Sequence, residues 1–386
     1  MYKIATLNKL SPSGLSRLPG DYIFTDDTED AEGIIVRSHD MLDMTLSKNL
    51  LAIARAGAGT NNIPISRCSE QGVVVFNTPG ANANAVKELV LSALLLSARN
   101  LPDALEWIKT LNENVAAEIE KGKGTFAGNE IKGKTLGVIG LGAVGVLVAN
   151  AAEKLGMYVL GHDPFITVNA AHELSNKIPM KSEIGGLLPN CDYITIHVPA
   201  MESTNGMVDK KMFALMKRGV CFLNFSRGNL VNEQDLFCAI EEGIVKKYIT
   251  DFPNDNLVGK NGIICIPHLG ASTEEAEDHC AIMAADQIAD YLENGNITNS
   301  VNFPSASLGP FEHTSAVCRV CIMNRNIPAM LAKITGILSH INISDMINKS
   351  KGDYAYTIID IDSETDYEEL IKSLHFEGII GVRIIK

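Results

Sequence analysis

Two short segments place residues suited to alcohol chemistry just beyond apolar, strand-like runs: Asn224-Phe225-Ser226-Arg227-Gly228 and Pro267-His268-Leu269-Gly270-Ala271-Ser272-Thr273. An arginine at the C-terminal end of a strand can hold a carboxylate through paired hydrogen bonds and polarise a neighbouring carbonyl. A histidine with a near-neutral pKa can exchange the proton of an alcohol. Alone, a strand-end histidine is more often a structural hydrogen bonder; together, Arg227 and His268 suit oxidation of a 2-hydroxy acid. The histidine needs an acidic neighbour to stay charged for the reverse reaction. Asp255, in Asp251-Phe252-Pro253-Asn254-Asp255, lies on the loop between the two segments and is the expected partner.

A second constellation precedes these. Gly140-Leu141-Gly142-Ala143-Val144-Gly145 is a G-x-G-x-x-G at the end of an expected strand (135–140) and the start of an apolar helix that ends near 156. The first glycine permits a tight turn, the second lets the backbone approach a pyrophosphate, and the third lets helix and strand pack closely. The helix N-terminus then faces the anion. Asp163, at the end of the next expected strand, is placed to accept hydrogen bonds from the adenosine ribose hydroxyls. A carboxylate there repels a 2′-phosphate, and Pro164, Phe165 and Ile166 supply no arginine, so NAD is favoured over NADP.

The elements that must position these groups follow from pattern and length. The 386 residues suit two or three domains. Forty-six acidic against 33 basic residues give a net charge of −13, which disfavours nucleic acid and acidic membranes as partners. No apolar run is long enough to cross a bilayer and the start lacks a signal-peptide segment, so a cytoplasmic location is expected. The eight cysteines are scattered; Cys318 and Cys321 form one C-x-x-C inside an expected strand and read as packing residues, with no metal site implied. Expected strands at 3–7, 33–37, 51–56 and 73–77, then a helix at 83–97, make one α/β unit. Six more strands, at 135–140, 158–162, 193–198, 220–225, 248–251 and 263–267, make a full Rossmann sheet. A capping box at Ser272-Thr273-Glu274-Glu275 opens a helix running to about 294. A linker-like stretch at 294–310 follows, then strand, helix, strand, strand, helix, strand from 317 to 385, the βαββαβ ferredoxin-like order. The fold class is therefore α/β: two Rossmann-like doubly wound parallel-sheet domains plus a C-terminal ferredoxin-like domain, whose open edge strands favour pairing with a second copy.

Ile131-Lys132-Gly133-Lys134-Thr135-Leu136-Gly137, the glycine loop, His197-Val198-Pro199 and the Arg227 and His268 segments together resemble the D-isomer-specific 2-hydroxyacid dehydrogenases over nearly the whole length. The resemblance implies a discontinuous substrate-binding domain (1–98 with 275–305), an NAD-binding domain (99–274) and a C-terminal ACT-like domain (316–386). It also implies NAD-dependent oxidation of 3-phospho-D-glycerate to 3-phosphohydroxypyruvate, the first step of L-serine biosynthesis. Rival readings are another reductase of the family, acting on hydroxypyruvate or 2-oxoglutarate, and a non-enzymatic NADH-sensing corepressor on the same fold. By resemblance, Arg227 and His268 are catalytic. The cofactor meets Gly140, Gly142, Ala143, Val144, Gly145, Asp163, His197, Val198, Pro199, Ser226, Asp251, His268 and Gly270. The family's acid belongs to a D-V-F-x-x-E-P pattern from which this chain departs. Aligning on Phe252 makes Asp255 the glutamate's counterpart and leaves Thr250 opposite the pattern's aspartate; aligning on Asp251 demands a deletion. Asp255 is taken as the partner of His268 and Asp251 as a candidate for the nicotinamide amide.

For the substrate, the resemblance assigns Arg37 and Ser38 to a phosphate, the turn Ala56-Gly57-Ala58 to the carboxylate, and Asn82, Arg227 and His268 to the substrate side. Lys121 and Lys123 add positive charge to a phosphate site, or are a solvated pair. The C-terminal domain resembles an amino-acid-sensing ACT module, with Asn324, Asn326 and Asn342 as candidate L-serine ligands at an interface between two copies. Asn324 stands where relatives have histidine and Ala329 where they have glycine; a pure dimerisation module is the alternative. A homodimer or homotetramer is expected.

Overall fold

The computed structural model describes residues 1–386 except Pro19 and Asp21, with His313 described in its backbone only. Strands β1 (Lys3–Leu7), β2 (Ile23–Thr25), β3 (Gly33–Val36), β4 (Ala52–Arg55) and β5 (Val74–Phe76) form a parallel sheet in the order β2-β1-β3-β4-β5. A second parallel sheet, in the order β7-β6-β8-β9-β10-β11, is built from β6 (Thr135–Ile139), β7 (Tyr158–His162), β8 (Tyr193–Ile196), β9 (Val220–Asn224), β10 (Val245–Thr250) and β11 (Ile263–Cys265). Every residue of β8 and β9 is buried, as a strand covered on both faces requires. The strand order reverses around β6, and ligands of open α/β sheets bind at such a point. The C-terminal strands β12 (Cys318–Arg325), β13 (Ile343–Lys351), β14 (Tyr354–Ile361) and β15 (Ile379–Ile385) pair antiparallel in the order β13-β14-β12-β15, with helices Met330–Ile337 and Tyr367–Leu374 between them. The expected ferredoxin-like order is thus observed. Strand β2 was not expected, because its three half-exposed residues carry no apolar alternation.

The chain divides into two compact units: Met1–Ala81 with Glu274–Lys386, and Asn82–Thr273. The first break therefore falls after residue 81 rather than after 98. Helix Ala83–Ala98 sends Val86, Val90, Ala93, Leu94 and Ala98 into one core with Leu136, Val146 and Ala149, which ties it to the six-stranded sheet. Nor does 316–386 stand apart, since Cys321, Met323, Tyr356 and Ile358 share a core with Phe76, Tyr291 and Leu292. Cys318 and Cys321 are three positions apart on one strand and so face opposite ways. Cys318 packs with Ile334 and Leu374, whereas Cys321 packs with Tyr291 and Tyr356.

Helix Glu274–Asn294 has no basic residue in its last turn to satisfy its terminal carbonyls. The C-terminal sheet supplies the donors. Arg383 on β15 donates through Nη1 to the Leu292 carbonyl at 3.1 Å and through Nη2 to that of Tyr291, with its guanidinium 4.3 Å from the Tyr291 ring centroid. Arg319 on β12, fully buried, donates through Nη1 to the carbonyls of Asn294 and Gly309, both at 2.8 Å, while Nε and Nη2 hold Asp360 at 2.6 and 2.8 Å. Tyr2 Oη adds a bond of 2.8 Å to Leu292 O. Cations at a helix C-terminus complement its dipole. Arg383→Met keeps most of the volume but removes the cation from the helix end, leaving the Leu292 carbonyl to Tyr2 Oη and the Tyr291 carbonyl to the Gly295 amide, so it should cost about 1–3 kcal/mol, read as a lower urea midpoint. An unchanged midpoint would take Arg383 out of this role.

Candidate active site

The site in the Asn82–Thr273 unit starts at the end of β6. Gly140 has φ +86°, which side-chain-bearing residues rarely adopt, and a Cβ there would lie 2.7 Å from both the carbonyl carbon and oxygen of His197. A Cβ on Gly145 would lie 2.0 Å from the Gly140 oxygen, so helix Ala143–Lys154 rests directly on the turn. By contrast, nothing stands within 4 Å of the corresponding position at Gly142, which caps that helix. The backbone is therefore open where a phosphate would approach the amides of Ala143 and Val144. Asp163, beyond β7, accepts from Leu141 N at 2.7 Å and from Phe165 N at 2.8 Å, which fixes its carboxylate beside the loop and leaves further acceptor capacity. These residues fit a dinucleotide.

Beyond β8, the His197 Nε2 sits 3.0 Å from Thr195 Oγ1, and burial drives its pKa down to about 4, so the imidazole is neutral. Ser226 Oγ donates to Val198 O at 2.5 Å, joining the ends of β8 and β9, while Pro199 is exposed. Asn224, the buried last residue of β9, accepts from Ser226 N at 3.1 Å and donates through Nδ2 to Arg227 O at 2.9 Å and Tyr248 Oη at 3.2 Å. This folds the turn that presents Arg227, whose side chain is exposed and bonds the Ser226 carbonyl at 2.6 Å through Nη1.

At the ends of β10 and β11, the Ile266 amide bonds the Thr250 carbonyl at 2.9 Å, setting Asp251 and His268 on adjacent chain ends. The Phe252 and His268 rings are 4.8 Å apart. Asp251 is 1% exposed, and among the described residues its Oδ1 has no hydrogen-bond partner. Burial pushes its carboxyl above the ordinary range, opposed by the charge of His268, the Gly270 amide and Arg227. Gly270 matters here because a Cβ would come within 3.2 Å of Asp251 Oδ2. Arg227, Asp251, His268 and Gly270 thus gather at one edge of the sheet. Asp255 does not join them: it is exposed, and its neighbours Asn254 and Asn256 both donate to Glu233, at 2.5 and 2.9 Å. Among the described residues no hydrogen bond or ion pair joins Asp255 to His268, and these two tethers hold its loop on Glu233; Asp251 is the buried carboxyl on which the charge of His268 acts.

In the other unit, Arg37 follows β3 and pairs with Glu277 at 2.7 Å. The amides of Arg37, Ser38 and His39 all converge on Asn8 Oδ1, at 3.2, 2.9 and 2.9 Å. Arg55, at the end of β4, donates through Nε to Arg37 O at 3.1 Å, and a Cβ on Gly57 (φ +153°) would strike its Nη1 at 2.6 Å. The turn Ala56-Gly57-Ala58 is held by Thr78 N on Gly57 O at 3.1 Å and Asn77 Nδ2 on Ala58 O at 2.7 Å. Arg55 was passed over in the sequence, although it ends a strand as Arg37 does. Asn82 precedes helix Ala83–Ala98 and so falls in the unit that carries the glycine loop. Lys121 and Lys123 are exposed and paired with Glu118 and Glu120 one turn earlier, the geometry of a solvated pair. Asn324 is 2% exposed, bonding Arg325 O at 2.7 Å through Nδ2, with no partner for Oδ1 among the described residues. Asn326 bonds Gly352 O and Asn342 bonds Asp362. The register puts Asn324 opposite Ala355 and Asn342 beside the Ile343–Ile361 pair, at opposite ends of the sheet, so one copy does not gather all three. Among the described residues, no group of three or more His, Cys, Asp or Glu side chains could hold a metal ion.

Residues 91–270 match the model of the D-isomer specific 2-hydroxyacid dehydrogenase NAD binding domain, and the chain belongs to this family. It is 31% identical over 384 residues to D-3-phosphoglycerate dehydrogenase 1 of Saccharomyces cerevisiae, covering 92% of this chain and 79% of the yeast protein. It is 34% identical over 295 residues to the D-3-phosphoglycerate dehydrogenase of Methanocaldococcus jannaschii, covering 73% of this chain; it spans only about half (54%) of that relative's length. Among solved structures, the NAD+-bound 3-phosphoglycerate dehydrogenase of Entamoeba histolytica aligns with a TM-score of 0.61 at 27% identity, covering 78% of this chain and 98% of that one.

The His197 shift has a stability consequence. Its folded pKa of about 4 lies below the ordinary 6.5, so acid protonates the unfolded chain first. The contribution is complete above pH 6.5 and is lost as pH falls toward 4, up to roughly 3 kcal/mol. His197→Gln should flatten the stability profile across that window in urea titrations; a slope equal to the parent's would contradict the assignment.

Proposed function

We propose that the chain catalyses NAD-dependent oxidation of 3-phospho-D-glycerate to 3-phosphohydroxypyruvate, the first step of L-serine biosynthesis. The observation that carries this is the gathering of a guanidinium, an imidazole and a buried carboxyl at one edge of the sheet that bears the glycine turn. The phosphorylated substrate is supported by the yeast and archaeal relatives' names and by the chemistry of Arg37 and Ser38, a cation and a hydroxyl in a turn whose Arg37 carbonyl also holds the Arg55 guanidinium.

When bound, NAD supplies the acceptor for the hydride that leaves C2 of the hydroxy acid. The open backbone at Gly142 and the first amides of the following helix hold its pyrophosphate, and Asp163 its ribose. Arg227 binds the substrate carboxylate and draws charge from the C2 oxygen. His268 takes the hydroxyl proton during oxidation and returns it to that oxygen in reduction. In assays of NADH consumption, phosphohydroxypyruvate should outperform glyoxylate, hydroxypyruvate and 2-oxoglutarate. His268→Ala should lower turnover by roughly 10²–10⁴ with NADH binding retained. Undiminished turnover in that variant would dismiss the reading.

Self-association fits the surface. Helices Leu101–Ile108 and Val115–Gly122 leave Leu101, Leu105, Ile108 and Val115 exposed, an apolar face suited to a second copy in a homodimer or homotetramer. The C-terminal sheet is read as a serine sensor whose site needs two copies, because Asn342 lies away from Asn324 and Asn326; the unpaired, buried Asn324 Oδ1 is an acceptor for an amino group. Calorimetry of the full chain with L-serine should give saturable heat that Asn324→Leu abolishes; no heat at millimolar serine would leave a dimerisation module. A cytoplasmic location fits the eight free cysteines, and among the described residues no helix is long and apolar enough to cross a membrane.

A further inference from the structure

We propose that Asp251, at the end of β10, is the carboxylate that orients His268 and keeps it charged, in place of the loop acid that the family pattern would supply; this rests on the dehydrogenase reading above. Four observations converge. First, the β10–β11 pairing runs Tyr248 with Ile263 through Thr250 with Cys265, and the bond from Ile266 N to Thr250 O extends it by one step. Asp251 is the next residue on one chain and His268 lies two residues on along the other. An acid leaving directly from the strand end needs less reach than one four residues out on the loop, so the shorter aspartate suffices where the pattern uses glutamate. Second, Asp251 is 1% exposed with an unpartnered Oδ1, a costly state for a side chain with only a packing role. Third, Gly270 crowds the other oxygen: a Cβ would stand 3.2 Å from Oδ2, and its amide favours the ionised form. The loop bearing His268 therefore closes over this carboxyl. Fourth, Asn254 and Asn256 are tied to Glu233, and Asp255 between them is exposed.

The charged groups facing Asp251 are His268, from beyond β11, and Arg227, from beyond β9. Both favour its carboxylate, and by reciprocity the carboxylate favours protonated His268. Asp251 is a positioning residue: it acts on substrate through His268. Its loss should therefore move the pH dependence of reduction and not only its magnitude.

The experiment uses the full chain, with Asp251→Asn, Asp251→Glu and Asp255→Asn compared. Reduction of phosphohydroxypyruvate is followed from pH 5 to 9, and the His268 ring protons are titrated by NMR with NADH absent. With Asp251→Asn, reduction should fall about 100-fold or more near neutral pH, and His268 should titrate about one pH unit or more lower. Asp251→Glu should recover part of both losses, and Asp255→Asn should stay within about twofold of the parent with His268 unmoved. A parental His268 titration in Asp251→Asn, or a shifted one in Asp255→Asn, overturns the proposal. Should Asp251→Asn fail to fold by circular dichroism, Asp255→Asn decides: a moved titration refutes, an unmoved one supports. Should the parent reduce none of the 2-oxo acids, the dehydrogenase reading fails, and the NMR titration still judges the Asp251–His268 pair on its own.

Discussion

The geometry of the Asn82–Thr273 unit depends on a methyl group that is missing. With no Cβ at Gly145, the helix that follows β6 settles onto the carbonyl of Gly140, and Gly140 in turn lies against the backbone of His197. From there the constraint passes sideways by hydrogen bonds: Val198 holds Ser226, Ser226 is gripped by Asn224, and Asn224 sets the turn of Arg227. A contact made for close packing thus aligns the strand end that receives an anion with the strand end that presents a guanidinium. Substituting any larger residue at Gly145 would disturb groups some eighty positions away in the chain, because the interior is too dense to absorb the displacement locally.

The second organising term is desolvation. Asn224, Thr250 and Asp251 are buried polar side chains at the C-terminal edge of one sheet, where strands shielded on both faces end. Asn224 is satisfied by its neighbours, whereas Asp251 is left with charge partners only on one side. A carboxyl in that position is poorly solvated and responds strongly to the imidazole and guanidinium near it. His197, two strands over, shows the same effect on a base: desolvation keeps its imidazole neutral.

The glycine loop, the acid beyond β7 and the three-sheet plan were legible in the sequence because each depends on local spacing and on residue types with few substitutes. The acid proposed as partner of His268 was not legible. Counting along the family pattern points to Asp255, but its direction is fixed by bonds from Asn254 and Asn256 to Glu233, over twenty residues earlier in the chain, and sequence spacing carries no record of such a tether. The assignment of helix Ala83–Ala98 was obscured in the same way: its apolar face is plain in the sequence, but which sheet receives it depends on partners at Leu136, Val146 and Ala149. Strand β2 escaped notice because a short, half-exposed edge strand has little pattern to read.

The two arginines that reach from the C-terminal sheet to the end of helix Glu274–Asn294 bear on how this architecture could be pruned. Residues 316–386 resemble an accessory module, yet they finish the hydrogen bonding of a 21-residue helix that runs through the heart of the other sheet's core and they cover Phe76 and Tyr291. Cutting the chain at the linker would therefore not release a tidy minimal enzyme but would leave an open wound of bare carbonyls and aromatic surface. The tail has become an organ of the body it was joined to, and a shortened form would need new residues to heal that face.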